Sequence, residues 1–463
     1  MEFEELKEAF ARQELFEGKT WRTSPKPWEL SSEIVESLEA IGQASLDFYK
    51  ALEVLYSRSA DGKKLLRNKE LYAPWVAEYL DRGKPKELVA LSRSKACKGR
   101  VPPVIRPDIL VTEDGFSISE LDSVPGGIGL TAYLNALYQE DSEHPMLGAD
   151  GAMENAFYRR LASLAPDKDH PVIAIVISEE SVTYKPEMDW LAERLQLRGF
   201  RVFSLHADDV FPLGGGLYMD VDGTPEKIDV VYRFFELFDL ANIKSAEFII
   251  EAWENGEVAL DPPLKPFFEE KSAMGLYHHH LLAEFWKEAI PKRSRKILDS
   301  LIPKTWIVDP APLPPGAVVD GPYAQGRPLH SWMDLAEASQ KERNLVLKIS
   351  GFHETAWGSR SVVIGSDVSK DEWTLALREA CSMADTHLHV IQEFRKSIRL
   401  KHPLYSDSGE VYEASGRLRL NPYYFVNGDK AELAGALATF CPPDKKIIHG
   451  MEDAAMLPCC VKG

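Results

Sequence analysis

A chain of 463 residues with 44% hydrophobic and 10% aromatic residues has material for more than one core, and about two to four domains are expected. A formal net charge of −18 argues against nucleic acid or an anionic membrane as a general partner and favours small-molecule chemistry, with a local basic pocket for a nucleotide still open. Cysteines at 97, 381, 441, 459 and 460 form no C-x-x-C pair, the acidic start MEFEELKEAF lacks a signal-peptide pattern, and no run of about 18 apolar residues occurs, so a cytoplasmic protein without a membrane span is expected.

Residues 1 to about 95 read as helical. Ser32 is placed to cap a helix whose apolar positions Ile34, Leu38, Ile41, Phe48, Leu52 and Leu55 follow helical spacing, and Tyr72, Trp75, Val76 and Tyr79 suggest one or two more. No chemistry is legible here, and packing support is the expected role.

Arg106 to Gly129 is the richest stretch. Glu113-Asp114-Gly115 fits a three-residue hairpin loop between Ile109-Leu110-Val111 and Phe116–Ile118. That register sets Thr112 opposite Phe116, Asp108 opposite Glu120 and Arg106 opposite Asp122, with the four charged side chains on one face. Facing carboxylates repel, and Arg106 offsets only part of the charge. An oxygen-seeking cation such as Mg²⁺ held by Asp108, Glu120 and Asp122 resolves the conflict; a solvent-facing hairpin with scattered charges is the alternative.

Pro125-Gly-Gly-Ile-Gly129 then leads into a helix, LTAYLNALYQ. Gly127-x-Gly129-x-x-Ala132 formally matches a dinucleotide fingerprint, but a Rossmann first strand is an apolar run and this one ends in Glu120 and Asp122. A plain turn, or a loop in which Gly127 and Gly129 approach a bound substrate or phosphate, are the other readings, and the last is favoured.

From Pro171 the pattern becomes α/β: strands PVIAIVIS, FRVFSLH and IDVVYRF with helices over 186–198 and 242–253 predict a doubly wound unit. Arg233 ends an apolar strand and points either into a cleft or to solvent. His278 to His280 lie on a predicted helix, diverge by about 100° per residue and cannot converge on one metal. Pro303 to Pro328 reads as a linker. Beyond it, LVLKIS and SVVIG are strands around the loop GFHETAWGSR, Asp371 to Ala384 is a helix, and HLHVIQEF is a strand ending in Gln392-Glu393. No G-x-x-x-x-G-K-[ST] occurs, which disfavours a P-loop. Lys348 beside such a loop suits a triphosphate, with backbone N–H groups and Arg360 closing over it; a lysine on an open edge strand is the equal alternative.

Arg106-x-Asp108, Glu120-x-Asp122 and PGGIG together resemble the Arg-x-Asp, Glu-x-Asn and Pro-x-Gly-x-Gly pattern of circularly permuted ATP-grasp proteins, including the ATP-grasp domain of glutathionylspermidine synthases. IDVVYRF, EEKSAMGLY, LVLKISGF and VIQEF are similar, in order, to later segments of that family, over about residues 100 to 430. Asp122 stands where the family has Asn and adds negative charge.

The resemblance implies an α/β (α+β) ATP-grasp fold with a helical N-terminal region (1–98), a hairpin and glycine turn belonging to the ATP-grasp fold (99–165), an inserted pre-ATP-grasp-like α/β domain (166–260) and nucleotide-binding lobes (261–463). It implies a carboxylate-amine ligase using ATP and Mg²⁺ on a small molecule or peptide. Lys271 and Lys348 would hold phosphates, Gln392 and Glu393 would meet adenine, Asp108, Glu120 and Asp122 would bind metal, and Arg106 would stabilise an acyl phosphate. A phosphotransferase, or a catalytically silent nucleotide-binding scaffold with Asp122 marking a decayed site, are the competing functions.

Overall fold

The computed structural model describes residues 1–450 and 452–462. A seven-stranded sheet forms the centre, running in the order Trp28–Ser31, Ala455–Lys462, Lys430–Cys441, Val411–Asn427, Val104–Thr112, Gly115–Asp122, with Arg399–Tyr405 also paired to Val411–Asn427. The helix Ser32–Ala60 presents Leu38, Ile41, Leu52 and Leu55 to one face, where Ile105, Ile109, Leu418 and Leu420 alternate inward. Its cap is Ser31 rather than Ser32. Ser31 ends a short strand and already has the extended backbone that an N-cap needs, and its Oγ accepts from the Ile34 N–H at 3.4 Å.

On the opposite face, helices Ile128–Tyr138, Ala152–Ala162 and Lys185–Gln196 join the central sheet to a four-stranded parallel sheet. Its order is Ala259–Asp261, Val230–Phe234, Ile173–Ile177, Val202–His206, and the fully buried run Ile173–Ile177 accounts for its unbroken apolarity. Ala246–Glu254 covers the far side. A third sheet is antiparallel, in the order Thr305–Val308, His389–Glu393, Leu345–Ile349, Val363–Ile364. Leu345, Leu347 and Ile391 face the helix Lys370–Ser382 and its Trp373, while Val346, Lys348 and Gln392 face a cleft.

Two sequence expectations change here. The supposed linker at 303–328 begins with a strand, Thr305–Val308, which pairs with His389–Glu393; four residues after a proline are too few to display a period. The strand expected over 361–365 is confined to Val363–Ile364. Among the described residues, no helix is long and apolar enough to cross a membrane.

Candidate active site

The hairpin is closed by a tighter turn than expected. Thr112 pairs with Gly115, not Phe116, so the loop is only Glu113 and Asp114. A bulge then restores the register: Ile109 pairs with Ile118 but Asp108 pairs with Glu120, which leaves Ser119 as the extra residue. The one-residue error in the turn and the unforeseen bulge cancel, so Asp108 faces Glu120 and Arg106 faces Asp122. The bulge also frees the Ser119 carbonyl, which accepts from Lys348 Nζ at 2.6 Å and ties the hairpin to the third sheet.

Asp108 is buried and has three donors. Arg419 Nη1 lies at 2.7 Å, Asn421 Nδ2 at 2.6 Å and Arg106 Nη2 at 3.2 Å. Burial pushes its pKa up, but the two guanidinium charges and the amide outweigh this and hold it below the usual carboxylate range. Asp122 goes the other way. Burial raises its pKa, Glu120 and Asp108 add to the rise, and Arg106 at 3.0 Å with the Val124 N–H at 2.9 Å only partly opposes it. Glu120 pairs with Lys271 at 2.7 Å. Burial would lower the Lys271 pKa, yet Glu120, Glu236 and Glu270 raise it overall. Lys348 has only neutral acceptors, Ser119 O and Gln392 Oε1 at 3.1 Å, and burial drops its pKa to about 8.

These groups line one cleft of ≈ 460 Å³ between the central sheet, the parallel sheet and the third sheet. Lys271, Lys348, Gln392 and Glu393 lie along it with Arg106, Asp108, Glu120 and Asp122. Gln392 Nε2 donates to Thr305 Oγ1 at 2.9 Å, and Glu393 pairs with Arg395 at 2.8 Å. The loop after Ile349 reaches over the cleft, and its Ala356 carbonyl accepts from Lys271 Nζ at 2.7 Å. Arg360 departs from expectation. Its guanidinium stacks 4.2 Å from the Trp357 ring centroid and pairs with Glu180 at 3.3 Å, so it braces the loop against the parallel-sheet region instead of lining the cleft.

The glycine turn also departs from expectation. Gly127 takes φ +86°, and its N–H donates to Glu187 Oε1 at 2.7 Å while the Leu130 N–H donates to Oε2 at 3.1 Å. An internal carboxylate therefore occupies the helix N-terminus that a phosphate would use. Burial lifts the Glu187 pKa to about 7 against the pull of those two N–H groups. Gly127 still borders the cleft, but Gly129 does not: a Cβ there would sit 2.0 Å from the Glu187 carbonyl oxygen, so this glycine permits close helix packing. Arg233 is likewise no cleft residue. It is 1% exposed, pairs with Glu269 at 2.8 Å and donates to the carbonyls of Pro262, Phe235 and Pro263, which makes it a buried brace beneath Glu269.

Arg419 and Asn421 join the site from a late strand carrying no charge motif of its own, although the alternation in RLRLN sets both on the face away from Leu418 and Leu420. Glu187, and the cleft-lining Leu15, Lys19 and Trp21 from the region read as packing support, gave no local signal.

No family model matches the chain, and no curated protein matches it. Among solved structures, a glutathione synthetase-like effector from Globodera pallida, in its apo form, superposes with a TM-score of 0.56 at 11% identity, covering 99% of this chain and 96% of that one. A protein assigned as a gamma-glutamylcysteine synthetase, from Methylobacillus flagellatus KT, gives 0.45 at 12% identity over 89% and 88% of the two chains. The first likeness shows the fold, which is α+β of the ATP-grasp type.

Proposed function

We propose that the protein is an ATP- and Mg²⁺-dependent carboxylate-amine ligase that activates a carboxylate as an acyl phosphate. The observation that carries this reading is the convergence of Arg106, Lys271 and Lys348 with the carboxylates of one hairpin in a single cleft. Three cations fixed on sheet and helix-start backbone bring positive charge together on one side of the cleft, as phosphoryl oxygens require.

The donors suit Mg²⁺ in chemistry, being all oxygen, but not as a cage of three. Among the described residues, no group of three His, Cys, Asp or Glu side chains is arranged for one ion, because Asp108 is held by Arg106, Arg419 and Asn421. Glu120 and Asp122 are the pair that would hold Mg²⁺, in keeping with its habit of taking one or two carboxylates alongside substrate phosphates. When bound, the ion would neutralise phosphate charge during transfer. Asp108 would then act by fixing Arg106 and Arg419. Lys271 and Lys348 would hold phosphates, which requires Lys271 to exchange the Ala356 carbonyl for a phosphate oxygen. Arg106 would stabilise the acyl phosphate and the oxyanion formed by an attacking amine; loss of one such donor costs on the order of 3 kcal/mol of transition-state stabilisation.

The test is incubation with Mg-ATP and pools of amino acids, short peptides and polyamines, followed by measurement of ADP, phosphate and new masses. Release of ADP and free phosphate with a condensed product is the expected result. A phosphorylated product without free phosphate means a phosphotransferase. Nucleotide binding without turnover in any pool favours the silent scaffold, and a protein that does not bind Mg-ATP is neither enzyme.

A further inference from the structure

Past Arg106 and Arg419 the cleft continues to an end that the roles above leave unused. Its wall comes from two segments remote in sequence, residues 15–21 and residues 446–450. They are joined where Trp21 Nε1 donates to the Gly450 carbonyl at 3.3 Å. Leu15 and Trp21 from the first segment, Ile448 from the second, and Leu437 and Met456 from the central sheet make this end apolar.

Its carboxylates are all engaged: Asp108 by Arg419, Asn421 and Arg106, Asp122 by Arg106 and the Val124 N–H, and Glu187 by the Gly127 and Leu130 N–H groups. Lys19 stands exposed at the rim, its Nζ 5.7 Å from the Trp21 ring centroid, with no ion pair among the described residues. At the inner limit, the Nε–H groups of Arg106 and Arg419 are buried and have no hydrogen-bond acceptor among the described residues. Buried donors of this kind favour an anionic oxygen ligand.

We infer that this end of the cleft binds the acyl substrate, and that this substrate is a carboxylic acid with an apolar body. Its carboxylate lies at Arg106 and Arg419, within reach of the lysines further along the cleft, and its body covers the partly exposed Trp21 and Met456. A small polar acid would leave those side chains wet and gain nothing from them, so the wall discriminates by apolar area. Lys19 adds a long-range attraction for any acid entering the mouth. The N-terminal segment thereby acts as a specificity element. The inference rests on the ligase reading for its chemistry but not for its binding.

Calorimetric titration of the full chain with 3-phenylpropanoate and with acetate tests the binding. The aromatic acid should bind at least about tenfold more tightly, as expected for burying several CH groups. Trp21→Ala should abolish that preference. Lys19→Glu, at an exposed position that leaves the fold intact, should weaken both acids at low salt and lose its effect at high salt. Equal affinity for the two acids, no binding of either, or a preference that survives Trp21→Ala overturns the inference; if Trp21→Ala does not fold, the Lys19→Glu salt dependence decides. Hydroxylamine trapping of an ATP-dependent acyl phosphate reads the ligase chemistry separately. A binding preference without any hydroxamate overturns the ligase reading and supports the subsite, whereas hydroxamate formed as readily from acetate as from 3-phenylpropanoate supports the ligase and overturns the subsite.

Discussion

The hairpin Val104–Asp122 and the glycine turn Pro125–Gly129 adjoin in sequence, and both carry groups that bind ions, yet the fold uses them differently. The hairpin's charges meet partners from distant strands and helices and remain along the cleft: Arg419 reaches Asp108, Lys271 reaches Glu120, and Lys348 reaches the Ser119 carbonyl. The turn's free N–H groups are satisfied by the chain's own Glu187, and Gly129 serves a backbone contact. A motif shows which donors and acceptors are available, and tertiary neighbours decide whether they are left for a ligand.

Asp108→Ala removes the shared partner of Arg106 and Arg419 in a buried setting, and a loss of about 3–5 kcal/mol in urea unfolding is expected. A loss below about 1 kcal/mol would show that water replaces the carboxylate and that the hairpin is less tightly built than its geometry indicates.

Gly129→Ala probes the turn, because the new Cβ would lie 2.0 Å from the Glu187 carbonyl and force two helices apart. Destabilisation of about 1–3 kcal/mol is expected. An unchanged Tm with weakened ligand binding would return this glycine to the ligand site.

Titration separates the two regions by sign. Glu187 has a folded pKa raised from 4.5 to about 7, so between these values the folded chain keeps a proton that the unfolded chain has lost. This group therefore makes stability fall as pH rises through that window, by roughly 1 kcal/mol per pH unit, and Glu187→Gln should flatten the slope. Lys348, bound to the hairpin, has its folded pKa lowered from 10.5 to about 8, so its contribution makes stability rise with pH over that interval. Lys348→Met should remove that rise, and an alkaline profile identical to the parent's would place the titration elsewhere.

Asp122→Asn should have the smallest effect. It removes a like charge beside Glu120 but also weakens the Arg106 pair, so stability should change by about 1 kcal/mol or less. Turnover should persist in the variant; its loss would show that the reaction requires the second negative charge.

Where local pattern governs, sequence reading came close. The run IAIVI gave its strand because burial on both faces leaves no polar position, and Ser369 with Glu372 caps the helix Lys370–Ser382 near its expected start. The register of Asp108 and Glu120 was legible only because a turn shorter by one residue was compensated by a bulge, and no residue type around Ser119 announces a bulge. The N-terminal region shows the opposite failure. Its helical periodicity was visible, but Trp21 lies outside any helix, and its placement depends on Gly450, 429 positions away.

The alternation that sets Arg106 and Asp108 on one face, the buried strands and the helix stripes are properties of local sequence, because each depends on neighbours within a few positions. Long-range packing sets the rest: Arg419, 311 positions from Asp108, holds it, Glu187 fills the helix N-terminus, and Arg233 is a brace and not a cleft residue. Those outcomes turn on which charged group the fold places beside a buried partner, and in a low-dielectric interior the cost of leaving one unpaired makes the assignment nearly all-or-none.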